Sequence, residues 1–445
     1  MPTENLPELA IALAWHRGQL GSSFRTTDGR SAEIVHRGVW SHGFGPDFAD
    51  AMVVFDGRDL RTGAIELHLG SRGWQEHRHH LDPRYDPVVL HVALRDDGGE
   101  ARTASGATVP LVLVDPESVP PLPDNGIGPE VWNRFGGEAC AGELALAQPG
   151  LLREAIWSLG DRRLAARTAR LESMLTIAPP GEVLWAELLD GLGFTANRAP
   201  MRALSSAVPL GVIEAAVAGR DESGQLDVAR ALLLGAAGFL PLSPVDAGFA
   251  GLDPDATARV EAVWRTAGGP WRGQEMPATT WTRARVRPAN HPAARIVAAA
   301  VLAVQGTRRG GLLVAMLDAV RTTDDPATAL VSLGAAPGRS PGIGEDRAAD
   351  IVASSLLPFA LALAEATGDT DLTEAAARCW ERLPAGSANA VTRRALRQVT
   401  GGAPLGKLGA RGAQGLIHLD TALCAPRRCF ECPVAHRVIA AGLAD

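Results

Sequence analysis

GPDFADAMVVFDGRDLRTGAIELHLGSRGWQEHRHHLDPRYDPVVLH, residues 45–91, is the stretch whose reading decides the fold. Within GAIELHLG (63–70), Ile65, Leu67 and Leu69 alternate with Glu66 and His68. That period of two makes a strand with an apolar face and, on the other face, a carboxylate beside an imidazole. Asp47 stands at the start of the strand-like run before it. A divalent-metal pocket follows in outline: two carboxylates and a backbone carbonyl suit a hard cation and leave positions open for water and a phosphate. The competing reading makes Asp47 a turn cap after Gly45-Pro46 and puts Glu66 and His68 on a solvated sheet face.

Working outward, LPELAIALAWHRGQL (6–20) spaces its apolar residues as a helix with one buried side. After the polar turn SSFRTTDGR come strand-like runs at AEIVHRGVW, DAMVVFDG, TGAIELHLG, VVLHVALRD and ATVPLVLVD, with WQEHRHHLDPRY long enough for a short helix between the third and fourth. The expected order is helix, three strands, helix, two strands, an α/β domain over 1–125. DPESVPPLPDNGIGPE (115–130) has linker composition. Helical periodicity then runs to about 400, as in LLREAIWSLGDRRLAARTARLESMLT, and predicts an all-α domain over 126–400. A short Cys-rich, metal-binding tail occupies 401–445.

The longest apolar runs, ALLLGAAGFL (231–240) and ARIVAAAVLAV (294–304), are too short to cross a membrane, and MPTENLPE lacks the pattern of a secretory signal, so the expected location is the cytoplasm with no membrane partner. Lys407 is the sole lysine. Its setting, PLGKLG, excludes a P-loop, a protein-kinase site and a pyridoxal Schiff base, each of which needs lysine in a fixed context. The net charge of -7 lies entirely in residues 1–125, with 11 arginines against 18 acids; the other 32 basic and 32 acidic residues cancel. Nucleic acid, if a partner, must be met by local arginine or a metal rather than by bulk charge.

Seven of the eleven histidines (His36, His42, His68, His77, His79, His80 and His91) fall between 36 and 91. A zinc or manganese site of His68 with His77 or His79 is one reading; His91, on an apolar strand, reads better as a hydrogen-bonded core residue. Cys424, Cys429 and Cys432, spaced C-x4-C-x2-C, point to a metal rather than a disulfide, with Cys140 or His436 as fourth ligand and zinc or an iron-sulfur cluster as occupant. Cys379 reads as core. DRRLAARTAR (161–170) and WTRARVRPANHPAAR (281–295) either contact phosphates or pair with neighbouring acids; the rigid RPANHP loop presents Arg287, Asn290 and His291 as substrate-binding candidates. GRSPG (338–342) matches a nucleophile-elbow pattern without a preceding strand and reads as a turn.

GPDFADA, GAIELHLGSRGWQEHRHHLDPRYDPVVLHV, LLDGLGFTANRAPM, ARALLLGAAGFLP, RVRPANHPAARI, GIGEDRA and QGLIHLDTALCAPRRCFECPV together resemble a bacterial domain-of-unknown-function family over nearly the full length. The element order, with PD at the second strand and ExH on the third, distantly resembles the PD-(D/E)XK nuclease superfamily and its restriction-endonuclease-like fold. That resemblance implies Mg2+ or Mn2+ ligands at Asp47 and Glu66, an outer ligand at Glu8, and His68 where a lysine usually stands. His77 and Tyr85 occupy the region where the RecB-like branch carries phosphate-orienting groups, and the separated cysteines resemble the iron-sulfur staple of some of its members. The function so implied is metal-dependent phosphodiester hydrolysis of DNA or RNA, with Asp47, Glu66 and His68 catalytic. The alternatives are a non-catalytic nucleic-acid or protein-binding scaffold and a small-molecule metallohydrolase using the histidines. His68 as general base is expected to lose activity below pH ~6.5, as an ordinary imidazole protonates.

Overall fold

A computed structural model describes residues 6–41, 45–121, 139–194, 196–284, 286–335 and 342–442. A sheet-rich N-terminal region is followed by a large helical one. The chain divides into two compact units: Met1–Leu159 with Asn389–Lys407 and Gly415–Asp445, and Gly160–Ala388 with Leu408–Gln414. These limits differ from 1–125, 126–400 and 401–445 for a visible reason. Cys140 and Ala141 donate backbone hydrogen bonds to Gln398 and Val399 (3.1 and 2.9 Å), so the segment after the linker and the 389–407 segment build one unit.

In the first unit, α1 (Glu8–His16) precedes β1 (Ser23–Arg25), β2 (Ser31–His36), β3 (Val39–Trp40), β4 (Phe48–Phe55) and β5 (Asp59–Gly70); α2 (Gly73–Glu76) then leads to β6 (Val88–Arg95) and β7 (Leu111–Leu113). They form a seven-stranded sheet in the order β1-β2-β4-β5-β6-β7, with β3 also on β4. β1, β2, β4 and β5 pair antiparallel, whereas β5-β6 and β6-β7 are parallel. The run AEIVHRGVW, expected as one strand, is broken into β2 and β3 at Gly38, whose φ of +89° favours glycine and whose missing Cβ admits Phe48 and Ala49 of β4. β1 falls inside what reads as a polar turn. α1 was expected to bury one side, yet every residue from Leu9 to Trp15 is buried, so its pattern is that of an enclosed helix. WQEHRHHLDPRY makes one helical turn and then 3-10 turns at His79–Leu81 and Pro83–Tyr85, because Arg78 adopts left-handed backbone (φ 59°) and Pro83 supplies no donor.

In the helical unit, Pro292–Thr307 is buried almost throughout and packs against Glu222–Ala236, which also packs against Pro254–Ala267. The expectation that no apolar run is long enough to span a membrane needs correction: the helical segment Glu345–Thr367, 23 residues, passes by length and composition. Its apolar window is 72% buried within the protein, the pattern of a core helix.

Candidate functional site

Phe48 of β4 pairs with Ile65 of β5, which brings Asp47 level with Glu66. Two reciprocal bonds lock them together: Glu66 Oε2 accepts the Asp47 N–H at 2.8 Å, and Asp47 Oδ2 accepts the Leu67 N–H at 3.0 Å. Glu8, in the first turn of α1, is the third member. Its carboxyl is pushed up to about 7, first by burial and then by Asp47, with Arg427 opposing. Burial and then Asp47 also hold Glu66 well above the ordinary carboxylate range. The counter-cation comes from the tail: Arg427 donates from Nη2 to Asp47 Oδ1 at 2.8 Å and lies 5.0 Å from the Trp40 ring centroid.

The imidazoles gather beside these carboxylates. In the parallel β5-β6 register Glu66 is level with His91 and His68 with Ala93, and level residues share a face. His68 therefore stands next to His91, with Nδ1 2.9 Å from His91 Nε2, while its Nε2 lies 3.1 Å from His77 Nδ1. The left-handed Arg78 lets His77 and His79 converge from the end of α2. Among the described residues, His68, His77 and His79 are the group whose ligand atoms all lie within 4.8 Å of one another. Glu66 Oε1 approaches two of them, at 3.2 Å from His79 Nε2 and 3.7 Å from His68 Nε2. Tyr85 stacks on His79 with centroids 3.7 Å apart, and burial followed by Glu66 pushes its phenol pKa up.

Burial pushes His68 down to about 2, with His91, His77 and His79 adding to the effect; burial likewise takes His79 to about 3 and His91 to about 4. The expected loss near pH 6.5 is thus misplaced. Desolvation is the largest cause and the neighbouring imidazoles act in the same direction, so the His68 pKa lies far below the ordinary imidazole value.

Gly73 packs directly on the His68 ring, so that a Cβ there would overlap Cδ2 and Cγ. Gly73→Ala should therefore cost ~1–3 kcal/mol through overpacking, measured by urea unfolding. An unchanged midpoint would mean that the ring and α2 separate freely.

Elsewhere in the first unit, Cys140, Cys424, Cys429 and Cys432 line one cavity, together with Arg427. His436 Nε2 instead lies 2.7 Å from the Phe430 carbonyl oxygen, so Cys140 is the fourth lining sulfur. Burial and then the neighbouring thiols push Cys140 and Cys424 well up, and burial with Cys432 takes Cys429 to about 12. A bound cation reverses that logic by favouring thiolate.

Arg287 and His291 fall in the helical unit. Arg287 is exposed, whereas His291 is buried, stacked on Phe249 (centroids 4.1 Å) and 3.7 Å from Asp246, which is a core role. Arg170 pairs with Glu187, Arg283 with Asp246, and Asp161 with Arg411, as the acid-pairing reading expects. Cys379 is buried, its thiol 3.5 Å from the Val320 carbonyl. GRSPG lies largely outside the described residues, as does His42. Sequence reasoning missed Arg427; the one signal for it was the basic pair inside C-x4-C.

No curated protein and no solved structure matches the chain. The matched region of the family model contains Glu8, Asp47, Glu66, His68, His77, His79 and Cys140, and ends before the three tail cysteines and Arg427. The chain belongs to the family described as "Protein of unknown function (DUF2851)", whose model matches residues 8–322.

Proposed function

We propose that the chain is a divalent-metal-dependent phosphodiesterase acting on DNA or RNA. The observation that carries the reading is the gathering of Glu8 of α1 with Asp47 and Glu66 of the β4-β5 pair, beside the imidazoles of His68 and His79 and under one guanidinium. Asp47 and Glu66 would hold Mg2+ or Mn2+, with Glu8 as an outer ligand. When bound, such an ion polarises a phosphoryl oxygen and lowers the pKa of water. The protein's own groups supply the rest. Arg427 is a fixed positive charge at Asp47 and takes the electrostatic role that a neutral His68 does not fill. His68, hydrogen-bonded through both ring nitrogens, passes a proton between His91 and the exposed His77 only if its tautomer switches. The phosphodiester class rests on the PD-(D/E)XK resemblance, and a restriction-endonuclease-like arrangement of the sheet is part of the same proposal. Cys140, Cys424, Cys429 and Cys432, which line one cavity, would hold zinc or an iron-sulfur cluster.

One observation favours the scaffold reading: both Asp47 oxygens are already engaged, by Arg427 and by Leu67. The experiment is incubation of the full chain with single- and double-stranded DNA and RNA in Mg2+ or Mn2+. Cleavage abolished by chelator and by Asp47→Asn is expected. No cleavage of any of these by the wild type would leave the scaffold.

A further inference from the structure

The donor set around Glu66 changes character across a few ångströms. On the Asp47 side it is all oxygen, the preference of a hard cation. On the other side it is nitrogen: His68 on β5, and His77 and His79 on either side of the left-handed Arg78. Three imidazoles and a carboxylate form a set for a borderline transition metal and a poor one for magnesium.

The distances carry the argument further. A tetrahedral zinc with ~2.0–2.1 Å bonds to nitrogen separates neighbouring donors by ~3.3 Å. The structure has 3.1 Å from His68 Nε2 to His77 Nδ1, 3.2 Å from His79 Nε2 to Glu66 Oε1 and 3.7 Å from His68 Nε2 to Glu66 Oε1. His79 Nε2 is buried and makes no hydrogen bond among the described residues, which is costly for a ring nitrogen unless something else takes its lone pair. The rings are held for the purpose: His91 fixes the far nitrogen of His68, Gly73 closes on the same ring, and Tyr85 stacks on His79. Metal-binding histidines are oriented by contacts of this kind. His77 is exposed, so the cluster reaches solvent on one side.

We infer that His68, His77 and His79, with Glu66 as a shared carboxylate, form a second cation site, selective for a borderline transition metal such as zinc or cobalt and distinct from the Asp47 side. The site stands on binding geometry and does not depend on the hydrolytic reading. If that reading also holds, Glu66 links two ions, and His68 is a ligand rather than a proton carrier.

The test is titration of metal-stripped full-length protein with Co2+ in excess Mg2+, followed by visible absorption. Wild type should take up one equivalent of Co2+ showing d–d bands without sulfur-to-cobalt charge transfer, apart from any thiolate-bound cobalt at the cysteines. His77→Ala removes an exposed side chain and should fold. It should lower the affinity for that equivalent by tenfold or more and leave any thiolate band unchanged. Asp47→Asn should retain the equivalent. Equal non-thiolate Co2+ uptake by wild type and His77→Ala, or none by the wild type, overturns the site. Co2+ uptake as expected with no nucleic-acid cleavage would overturn the hydrolytic reading alone.

Discussion

Glu66→Gln is expected to abolish metal-dependent cleavage, with kcat falling at least ~10²–10³-fold, the scale for removing one electrostatic group from a catalytic centre. Glu66 is 5% exposed and stands between the two donor sets. Oε2 faces Asp47 and Oε1 faces the imidazoles, so one substitution alters both. The fold should survive it. Glutamine keeps an acceptor for the Asp47 N–H and removes a buried acid whose pKa is held well above its ordinary range by burial and then by Asp47. The thermal midpoint should therefore stay level or rise while activity disappears, the trade-off expected where a site is held together against its own repulsion. Measurement of kcat and of thermal unfolding on the same preparation checks both halves. Full activity in Glu66→Gln would remove this residue from the chemistry.

Legibility followed sequence distance. The face shared by Glu66 and His68 could be read from five residues, because strand alternation is local. The coarse change from a sheet-rich to a helical region could be read from the switch of period. The neighbourhood of His68 with His91 could not, since it depends on a parallel register set by a crossover, and the crossover itself folds as one helical turn and two 3-10 turns rather than the short helix its length suggests. The low pKa of His68 was hidden for a related reason: an imidazole is visible in sequence, but the depth of burial that lowers its pKa is a tertiary property. Arg427 is the extreme case, 380 positions from its partner Asp47, and only the convergence of the tail on the sheet reveals it.

That convergence sets up the second large effect. Arg427 and Asp47 side chains are each 14% exposed, and truncating one partner of so enclosed a pair leaves the other charge stranded. Arg427→Ala should cost ~3–5 kcal/mol of stability in metal-free buffer, toward the lower end because the pair is not wholly sealed from water. Part of the cost is lost packing against Trp40, which Arg427→Lys would also sacrifice while keeping the charge. The diagnostic feature is the response to magnesium. In the wild type an ion at Asp47 would have to compete with the guanidinium for Oδ1, whereas in Arg427→Ala that oxygen is released and Asp47 lacks its counter-charge. Saturating Mg2+, at ~100-fold over its dissociation constant, contributes ~2.7 kcal/mol to a protein that binds it only when folded. The variant should therefore recover much of its loss in Mg2+, and its midpoint should rise by more than that of the wild type. Thermal melts of wild type, Arg427→Ala and Arg427→Lys with and without Mg2+ read this directly. Equal Mg2+-induced shifts in all three would mean that the ion does not reach Asp47, and that the guanidinium is a permanent structural counter-charge rather than an occupant of the cation's place.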